Sequence, residues 1–139
     1  MAVEAQKTFT ESLRQLHILL AEDNIVNQRV VARLLEKQRH SVVVAGTGRE
    51  ALAAIERASF DVVLMDIQMP EMDGYEATTA LRAREMVGGA HLPVIALTAN
   101  AMSGDREACL ERGMDGYLSK PVRPQELFSE IHRVLDAVC

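Results

Sequence analysis

The chain has 139 residues, of which 48% are hydrophobic and 25% are charged, with a formal net charge of −5. This length suits one domain with a single core, and the acidic balance argues against a general nucleic-acid binder, whose binding face is usually basic. No apolar run approaches the roughly 18 residues of a membrane span, and the polar start is unlike a secretory signal. Cys109 and Cys139 form no metal-binding or redox motif. We therefore expect a cytoplasmic domain without direct nucleic-acid or membrane contact.

The order of the predicted elements indicates an α/β fold. Residues 1–15 are polar and aperiodic, which predicts a flexible leader or linker before a domain at 16–138. Five short apolar runs predict strands, and the patterns between them predict helices. The predicted strands are 17–21, 41–45, 62–66, 93–98 and 116–119, and the predicted helices lie near 26–38, 48–58, 74–86, 103–112 and 124–138. Such alternation predicts a doubly wound parallel sheet with helices on both faces.

Local signals mark the starts of several helices. Segments 47–50 and 73–76 each begin with Thr or Asp and carry a Glu three residues later, the pattern of a capping box. Pro124 suits the first turn of the last helix. These signals support the predicted helix boundaries.

Polar side chains stand at the ends of four of the five predicted strands. Glu22 and Asp23 follow the first strand, Asp66 and Thr98 end the third and fourth, and Lys120 follows the fifth. The second strand ends without a charge, as expected of an edge strand remote from a site. Because the carboxyl ends of parallel strands meet at one edge of the sheet, where ligands bind in such folds, we expect these side chains to cluster there.

The charges of this cluster do not balance. Glu22, Asp23 and Asp66 bring three negative charges against the single positive charge of Lys120. Like charges about 4–5 Å apart repel by a few kcal/mol, so the cluster must keep a proton or bind a divalent cation. Oxygen ligands alone favour Mg²⁺, and the absence of neighbouring Cys or His in the sequence argues against zinc or copper.

A carboxylate beside such a cation can act as a nucleophile. Attack on a phosphoryl group would give an aspartyl-phosphate, a reaction that depends mainly on positioning and on neutralising the phosphoryl oxygens. Asp66 is the best candidate nucleophile because its strand is central, whereas Glu22 and Asp23 are better placed to support the metal. The Lys120 ammonium and the Thr98 hydroxyl, with a nearby backbone amide, are then available for the phosphoryl oxygens.

Four segments, LLAEDN, VVLMDIQMPEMDGYEA, PVIALTANA and GMDGYLSKP, together resemble the receiver domain of two-component response regulators. The match spans about residues 16–138. It implies a flavodoxin-like (βα)5 fold with sheet order 2-1-3-4-5, in which Asp66 accepts phosphate from a phosphohistidine. The residues that it implies for the remaining roles are Glu22, Asp23, Asp66 and the backbone carbonyl of Gln68 for Mg²⁺, and Thr98, Ala99 and Lys120 for the phosphate.

The resemblance also suggests regulatory roles. It implies a switch in which Thr98 moves toward the phosphate and the ring of Tyr117 follows, changing the surface of helix 4, strand 5 and helix 5; the alternative is that this ring simply packs on the last helix. Gln68 and Ala99 flank the path of an attacking water and are predicted to tune the phosphate lifetime. Ile25 is a candidate contact for a partner's histidine-bearing helix. The family also implies a cis peptide bond between Lys120 and the following proline.

Finer features resemble one subgroup of the family. The segments AEDNIVNQRV, DIQMPEMDG and ALTANAM are similar to receivers fused to hybrid sensor histidine kinases. This implies a histidine kinase or a histidine phosphotransfer domain as phosphodonor, a monomer or weak dimer, and a parent kinase that is either free or anchored at the inner membrane. Whether the chain counts as an enzyme stays open, since the domain would catalyse only its own phosphorylation and dephosphorylation.

Other functions would place different residues at these positions. A stand-alone response regulator and a docking pseudo-receiver that never accepts phosphate remain alternatives. A haloacid-dehalogenase phosphatase would need a second aspartate two residues after the nucleophile, where Gln68 stands. A Rossmann nucleotide binder would need glycines after the first strand, where the chain reads AEDN.

Overall fold

The computed structural model describes residues 15–99 and 105–138, so the predicted leader lies, except for its last residue, outside the described residues. Strands and helices alternate along the chain. They are β1 (His17–Ala21), α1 (Ile25–Lys37), β2 (Ser41–Ala45), α2 (Gly48–Arg57), β3 (Val62–Asp66), α3 (Gly74–Glu85), β4 (Val94–Thr98), α4 (Asp105–Glu111), β5 (Gly116–Ser119) and α5 (Pro124–Val138). All strand pairs are parallel, in the order β2-β1-β3-β4-β5. The predicted doubly wound fold and its sheet order are confirmed.

The boundaries differ from the prediction by one or two residues. α1 begins one residue early because the Asn24 side chain accepts the amide hydrogen of Asn27 at 3.0 Å and so caps the helix. β4 begins at Val94, since Pro93 has no amide hydrogen to donate. Residues 103–104 of the predicted fourth helix lie outside the described residues. No helix in the described part of the chain is long and apolar enough to cross a membrane.

One of the two predicted capping boxes is complete. At the start of α3, Asp73 Oδ1 accepts from the Glu76 amide at 2.9 Å, and Glu76 Oε1 accepts from the Asp73 amide at 3.1 Å. At the start of α2, Thr47 caps the helix, but Glu50 Oε1 accepts from the Gly46 amide at 3.0 Å. The predicted bond from the Thr47 amide to Glu50 is therefore wrong. Because β2 ends at residue 45, the Gly46 amide needs an acceptor, and Glu50 supplies it instead.

The core lies on both faces of the sheet. Successive strand residues point to opposite faces, so each strand contributes to two hydrophobic layers. One layer packs against α1 and α5, and the other against α2, α3 and α4. Every residue of β3 and β4 is buried, and β3 is the third of the five strands across the sheet, which makes it the central one. Cys109 is buried in the second layer.

A charged network lies at the amino ends of β4 and β5, and we call it the amino-end cluster: Arg82, Glu85, His91 and Asp115. Arg82 donates from Nη1 to Glu85 at 2.9 and 3.0 Å and from Nη2 to Asp115 at 2.7 Å. It also donates to the carbonyl oxygens of Leu92 and Gly113, both at 2.8 Å. The guanidinium thus fastens α3 to the segments that lead into β4 and β5.

The two edge strands of the sheet differ in the side chains around them. At the β5 edge, the Tyr117 amide donates to Glu130 Oε2 of α5 at 2.8 Å, and Arg133 donates to the same carboxylate at 2.8 and 2.9 Å. Burial would raise the pKa of Glu130, but these hydrogen bonds outweigh it and the pKa is lowered. At the β2 edge, Val43 and Val44 are exposed instead. The β5 edge is therefore covered by an ionised side chain, whereas β2 leaves two apolar side chains exposed.

Candidate functional site

The acidic residues predicted to cluster do come together at the carboxyl end of the sheet. Asp66 closes the central strand, and Glu22 and Asp23 follow its neighbour β1. The Glu22 amide donates to the Ala45 carbonyl at 2.9 Å and so continues the strand pairing by one residue. One carboxylate oxygen from each of Glu22, Asp23 and Asp66 lies within 4.8 Å of the other two. We call these three acids and Lys120 the carboxyl-end cluster.

Lys120 forms ion pairs with two of the acids. Its Nζ lies 2.8 Å from Asp66 Oδ2 and 2.7 Å from Glu22 Oε1. The Lys120 amide donates to the Thr98 carbonyl at 2.7 Å, which extends the β4–β5 pairing beyond Ser119. The peptide bond between Lys120 and Pro121 is cis, as the resemblance implied. One ammonium group therefore bridges two carboxylates from different strands.

Burial makes this arrangement electrostatically costly. Glu22 is 1% exposed and Asp66 is 3% exposed, whereas Asp23 is open to solvent. Burial raises the pKa of Glu22, and the hydrogen bonds from Lys120 and the Asn24 amide only partly offset it. Burial would lower the pKa of Lys120, but Asp66 and Glu22 outweigh it and the pKa is raised. Lys120 is thus held in its charged form, whereas burial disfavours the charged form of Glu22.

The loop after β3 sets the orientation of Asp66. Its Oδ1 accepts the amide hydrogen of Gln68 at 2.9 Å, and its Oδ2 contacts the Lys120 ammonium. A Cβ atom at Gly74 would lie only 2.4 Å from the Asp66 carbonyl oxygen, so the start of α3 can pass behind the aspartate only because residue 74 is glycine. The side chain of Gln68 and the residue Ala99 are both exposed at this end of the sheet.

The donor set fits a hard divalent cation. All the clustered side-chain ligands are carboxylate oxygens, the ligands that Mg²⁺ prefers, and exposed Asp23 leaves room for the waters that Mg²⁺ keeps. Glu22 Oε1 is buried, and its partner is the Lys120 ammonium, which Asp66 shares. A cation would supply the positive charge that the buried acids lack.

Thr98 and Tyr117 face the same side of the sheet. Tyr117 pairs with Ala96, two residues before Thr98, and residues two apart in a strand share a face. The Tyr117 ring packs in the hydrophobic layer of α2, α3 and α4, whereas Leu118 points toward α5. The alternative that this ring packs on the last helix is therefore wrong, because β5 turns the opposite face to α5.

The first two turns of α1 expose an apolar surface beside the site. We call it the α1 patch: Ile25 is 61% exposed, Val26 68% and Val30 48%. A cavity of about 90 Å³ is lined by Val30 of this patch and by Glu22 and Lys120 of the site, among others. Sequence reasoning identified Ile25 but missed its two neighbours, since apolar residues on a helix are normally assigned to the core.

Known proteins share this fold. The family model described as the response regulator receiver domain matches residues 18–132. A receiver domain of the sensor histidine kinase PA1611 from Pseudomonas aeruginosa, solved with a magnesium ion in its active-site cleft, is 43% identical, with a TM-score of 0.78 and coverage of 88% of this chain and 98% of that chain. The receiver domain of Ssk1 from Saccharomyces cerevisiae, solved with the histidine phosphotransfer protein Ypd1, is 30% identical, with a TM-score of 0.77 and coverage of 81% and 83%.

Curated relatives are much longer than this chain. Hybrid signal transduction histidine kinase I of Dictyostelium discoideum is 42% identical over 83% of this chain but only 7% of its own length. The sensor protein GacS of Pseudomonas syringae is 43% identical over 84% of this chain and 13% of its own length. With the family model matching most of the sequence, the chain belongs to the response regulator receiver domain family and is of the kind found in hybrid histidine kinases.

Proposed function

We propose that the domain is the phosphoacceptor of a two-component phosphorelay and that Asp66 receives the phosphoryl group. The single observation that carries this proposal is the placement of a buried aspartate at the end of the central strand, held between a lysine ammonium and two further acids. A structural ion pair would need only one acid for Lys120. The surplus of acids is explained by a site that binds a cation and a phosphoryl group.

The reaction divides among the residues of the carboxyl-end cluster. Glu22, Asp23 and Asp66, with the Gln68 carbonyl, would hold Mg²⁺, whose chemistry is to neutralise phosphoryl oxygens. A carboxylate oxygen of Asp66 forms the new P–O bond while the P–N bond of the donor phosphohistidine breaks, and the bonding electrons return to the imidazole. Lys120 lies next to the Asp66 carboxylate, where it can neutralise a second phosphoryl oxygen.

Thr98 and Ala99 stand at the end of β4 for the remaining contacts. We propose that the Thr98 hydroxyl and the Ala99 backbone bind the third phosphoryl oxygen, and that Thr98 then draws Tyr117 with it. This switch is supported by the positions of Thr98 and Tyr117, which lie on the same face of adjacent strands and are two residues apart in register. Such a switch is a local change that biases a two-state surface formed by α4, β5 and α5.

Gln68 and Ala99 are proposed to set the phosphate lifetime. Both are exposed at the carboxyl end of the sheet, and Gln68 is two residues beyond the nucleophile. A larger or more polar side chain at either position would change how a water molecule reaches the phosphoryl group. We expect substitutions here to alter the dephosphorylation rate more than the stability of the domain.

The α1 patch is proposed as the contact for the phosphodonor. Ile25 stands directly beside the acidic loop, and the exposed valines at 26 and 30 continue the apolar surface along the same helix. A donor helix that presents a phosphohistidine must lie against this side of the molecule for its phosphorus to approach Asp66. The donor is a histidine kinase or a histidine phosphotransfer domain, acting in the cytoplasm, and the parent protein is a hybrid sensor kinase.

Intact-mass measurement tests this function directly. We expect the wild type to gain one phosphoryl group when incubated with acetyl phosphate and Mg²⁺, and the Asp66→Asn variant to gain none. Asp136→Asn is the matched control, because Asp136 is an exposed residue of α5 far from the cluster in sequence. A gain that persists in Asp66→Asn would move the nucleophile elsewhere, and no gain in the wild type would favour a docking pseudo-receiver.

A further inference from the structure

Gln28, in the first turn of α1, holds the loop that carries Glu22 and Asp23. Its side-chain amide nitrogen donates to the backbone carbonyl oxygen of Glu22. Its backbone amide donates to the carbonyl oxygen of Asn24 at 2.9 Å. One residue therefore binds the acidic loop at both of its ends, and its side chain is half-buried in doing so.

The rest of the loop is fixed by neighbouring hydrogen bonds. The Glu22 amide is bound to Ala45, and the Asn24 amide donates to Glu22 Oε2 at 3.1 Å. Because β1 ends at residue 21, strand pairing supplies no donor for the Glu22 carbonyl, and Gln28 supplies it. The peptide that joins Glu22 to Asp23 begins with this carbonyl, so its orientation sets the directions in which both acids leave the backbone.

We infer that Gln28 is a positioning residue for the cation site. It fixes the peptide between Glu22 and Asp23 so that a buried carboxylate and an exposed one converge on Asp66. This inference rests on the proposed function, since it assigns Gln28 to the Mg²⁺ site of that reaction. Mg²⁺ demands nearly ideal octahedral geometry, and groups that orient metal ligands commonly change affinity about 10- to 100-fold when they are removed.

The helix itself does not need glutamine at this position. Alanine has a higher helix propensity than glutamine, and methionine has a similar one. Gln28 also lies outside the two buried hydrophobic layers. Removal of its side chain should therefore leave the fold of the metal-free protein intact and act on the acidic loop.

The test compares Mg²⁺ binding by the wild type, Gln28→Ala and Gln28→Met. Isothermal titration calorimetry gives the dissociation constant, and thermal unfolding is followed with and without Mg²⁺. We expect both variants to bind Mg²⁺ about tenfold more weakly, with little change in the metal-free midpoint. At saturating Mg²⁺ this lowers the stabilisation by the metal by about 1.4 kcal/mol, the equivalent of a tenfold change. Gln38→Ala is the matched control, since Gln38 is an exposed glutamine at the other end of α1.

Two results would overturn the inference while leaving the proposed function in place. One is an unchanged dissociation constant in both variants. The other is an equal loss of thermal stability with and without Mg²⁺, which would make Gln28 an ordinary structural residue. If the wild type itself bound no Mg²⁺, the proposed function would fail, and the role of Gln28 would fail with it.

Discussion

The two ends of the sheet carry charged clusters of opposite character. In the amino-end cluster, every carboxylate oxygen of Glu85 and Asp115 has a partner: Arg82, His91 or the backbone amides of Leu92 and Val94. In the carboxyl-end cluster, a single ammonium is shared by two buried acids, and the carboxylate of Asp23 lies beside them. The carboxylates of the first cluster are bonded throughout within the protein, whereas the second cluster has one cation for three acids.

This contrast distinguishes a structural network from a binding site. A saturated network has nothing to gain from a ligand, so its members contribute to stability. A buried cluster with surplus charge destabilises the unliganded fold and recovers that free energy when it binds a counter-charge. Substitutions should therefore lower stability at the amino end and lower binding at the carboxyl end.

The largest effect on stability is expected from Arg82→Met. This change leaves Glu85 and Asp115 partly buried without their cation, and we expect a loss of about 2–4 kcal/mol. Urea unfolding measures the loss, and phosphorylation of the folded fraction should persist. Arg84→Met is the control, because its ion pair with Glu56 is exposed and should contribute less than about 1 kcal/mol. Equal losses in the two variants would show that the amino-end cluster contributes no more to stability than an exposed ion pair.

A smaller effect, on both stability and chemistry, is expected from Gly74→Ala. The new Cβ would meet the Asp66 carbonyl oxygen at 2.4 Å, so the chain around Asp66 must shift. We expect a loss of about 2 kcal/mol in urea unfolding and slower phosphorylation by acetyl phosphate. Gly46→Ala is the control, since its nearest neighbour would be 3.7 Å away. A Gly74→Ala variant with wild-type stability and phosphorylation rate would contradict the close approach.

The smallest effect on stability, and a gain instead of a loss, is expected from Glu22→Gln. Burial raises the pKa of Glu22, so the folded state holds its proton more tightly than the unfolded state. Without Mg²⁺, the stability of the wild type should fall as pH rises above 4.5 through the folded pKa. The variant should lack this slope, gain about 1 kcal/mol at neutral pH, and lose most of the stabilisation by Mg²⁺. A less stable variant at neutral pH would place Glu22 in a structural network instead.

The carboxyl-end cluster could be predicted from the sequence because the patterns that place its residues are local. Each apolar run reveals where a strand ends, and the next polar residue is then placed at a known edge of the sheet. Asp66 and Lys120 are far apart in sequence, yet both positions follow from this one rule. The strand order came from the family resemblance, and the structure confirms it.

The amino end could not be read in this way. Arg82 and Asp115 are 33 residues apart and lie on a helix and a loop, so their contact depends on how α3 packs. In the sequence these charges look like ordinary solvated residues. The position of the Tyr117 ring was open for a related reason: alternation in β5 shows that neighbouring residues face opposite ways, but not which face meets α5. Gln28 was missed because its partner is a backbone carbonyl, which leaves no mark in the sequence.

The unequal edges of the sheet also limit how the domain can associate. The backbone amide of Tyr117 in β5 already donates to Glu130. A further strand could therefore not hydrogen-bond to this amide without displacing an ionised side chain. Within residues 15–99 and 105–138, no side chain is seen to cover β2 in this way, and Val43 and Val44 are exposed. A polypeptide that extends this sheet would therefore add beside β2, at the opposite edge of the sheet from β5.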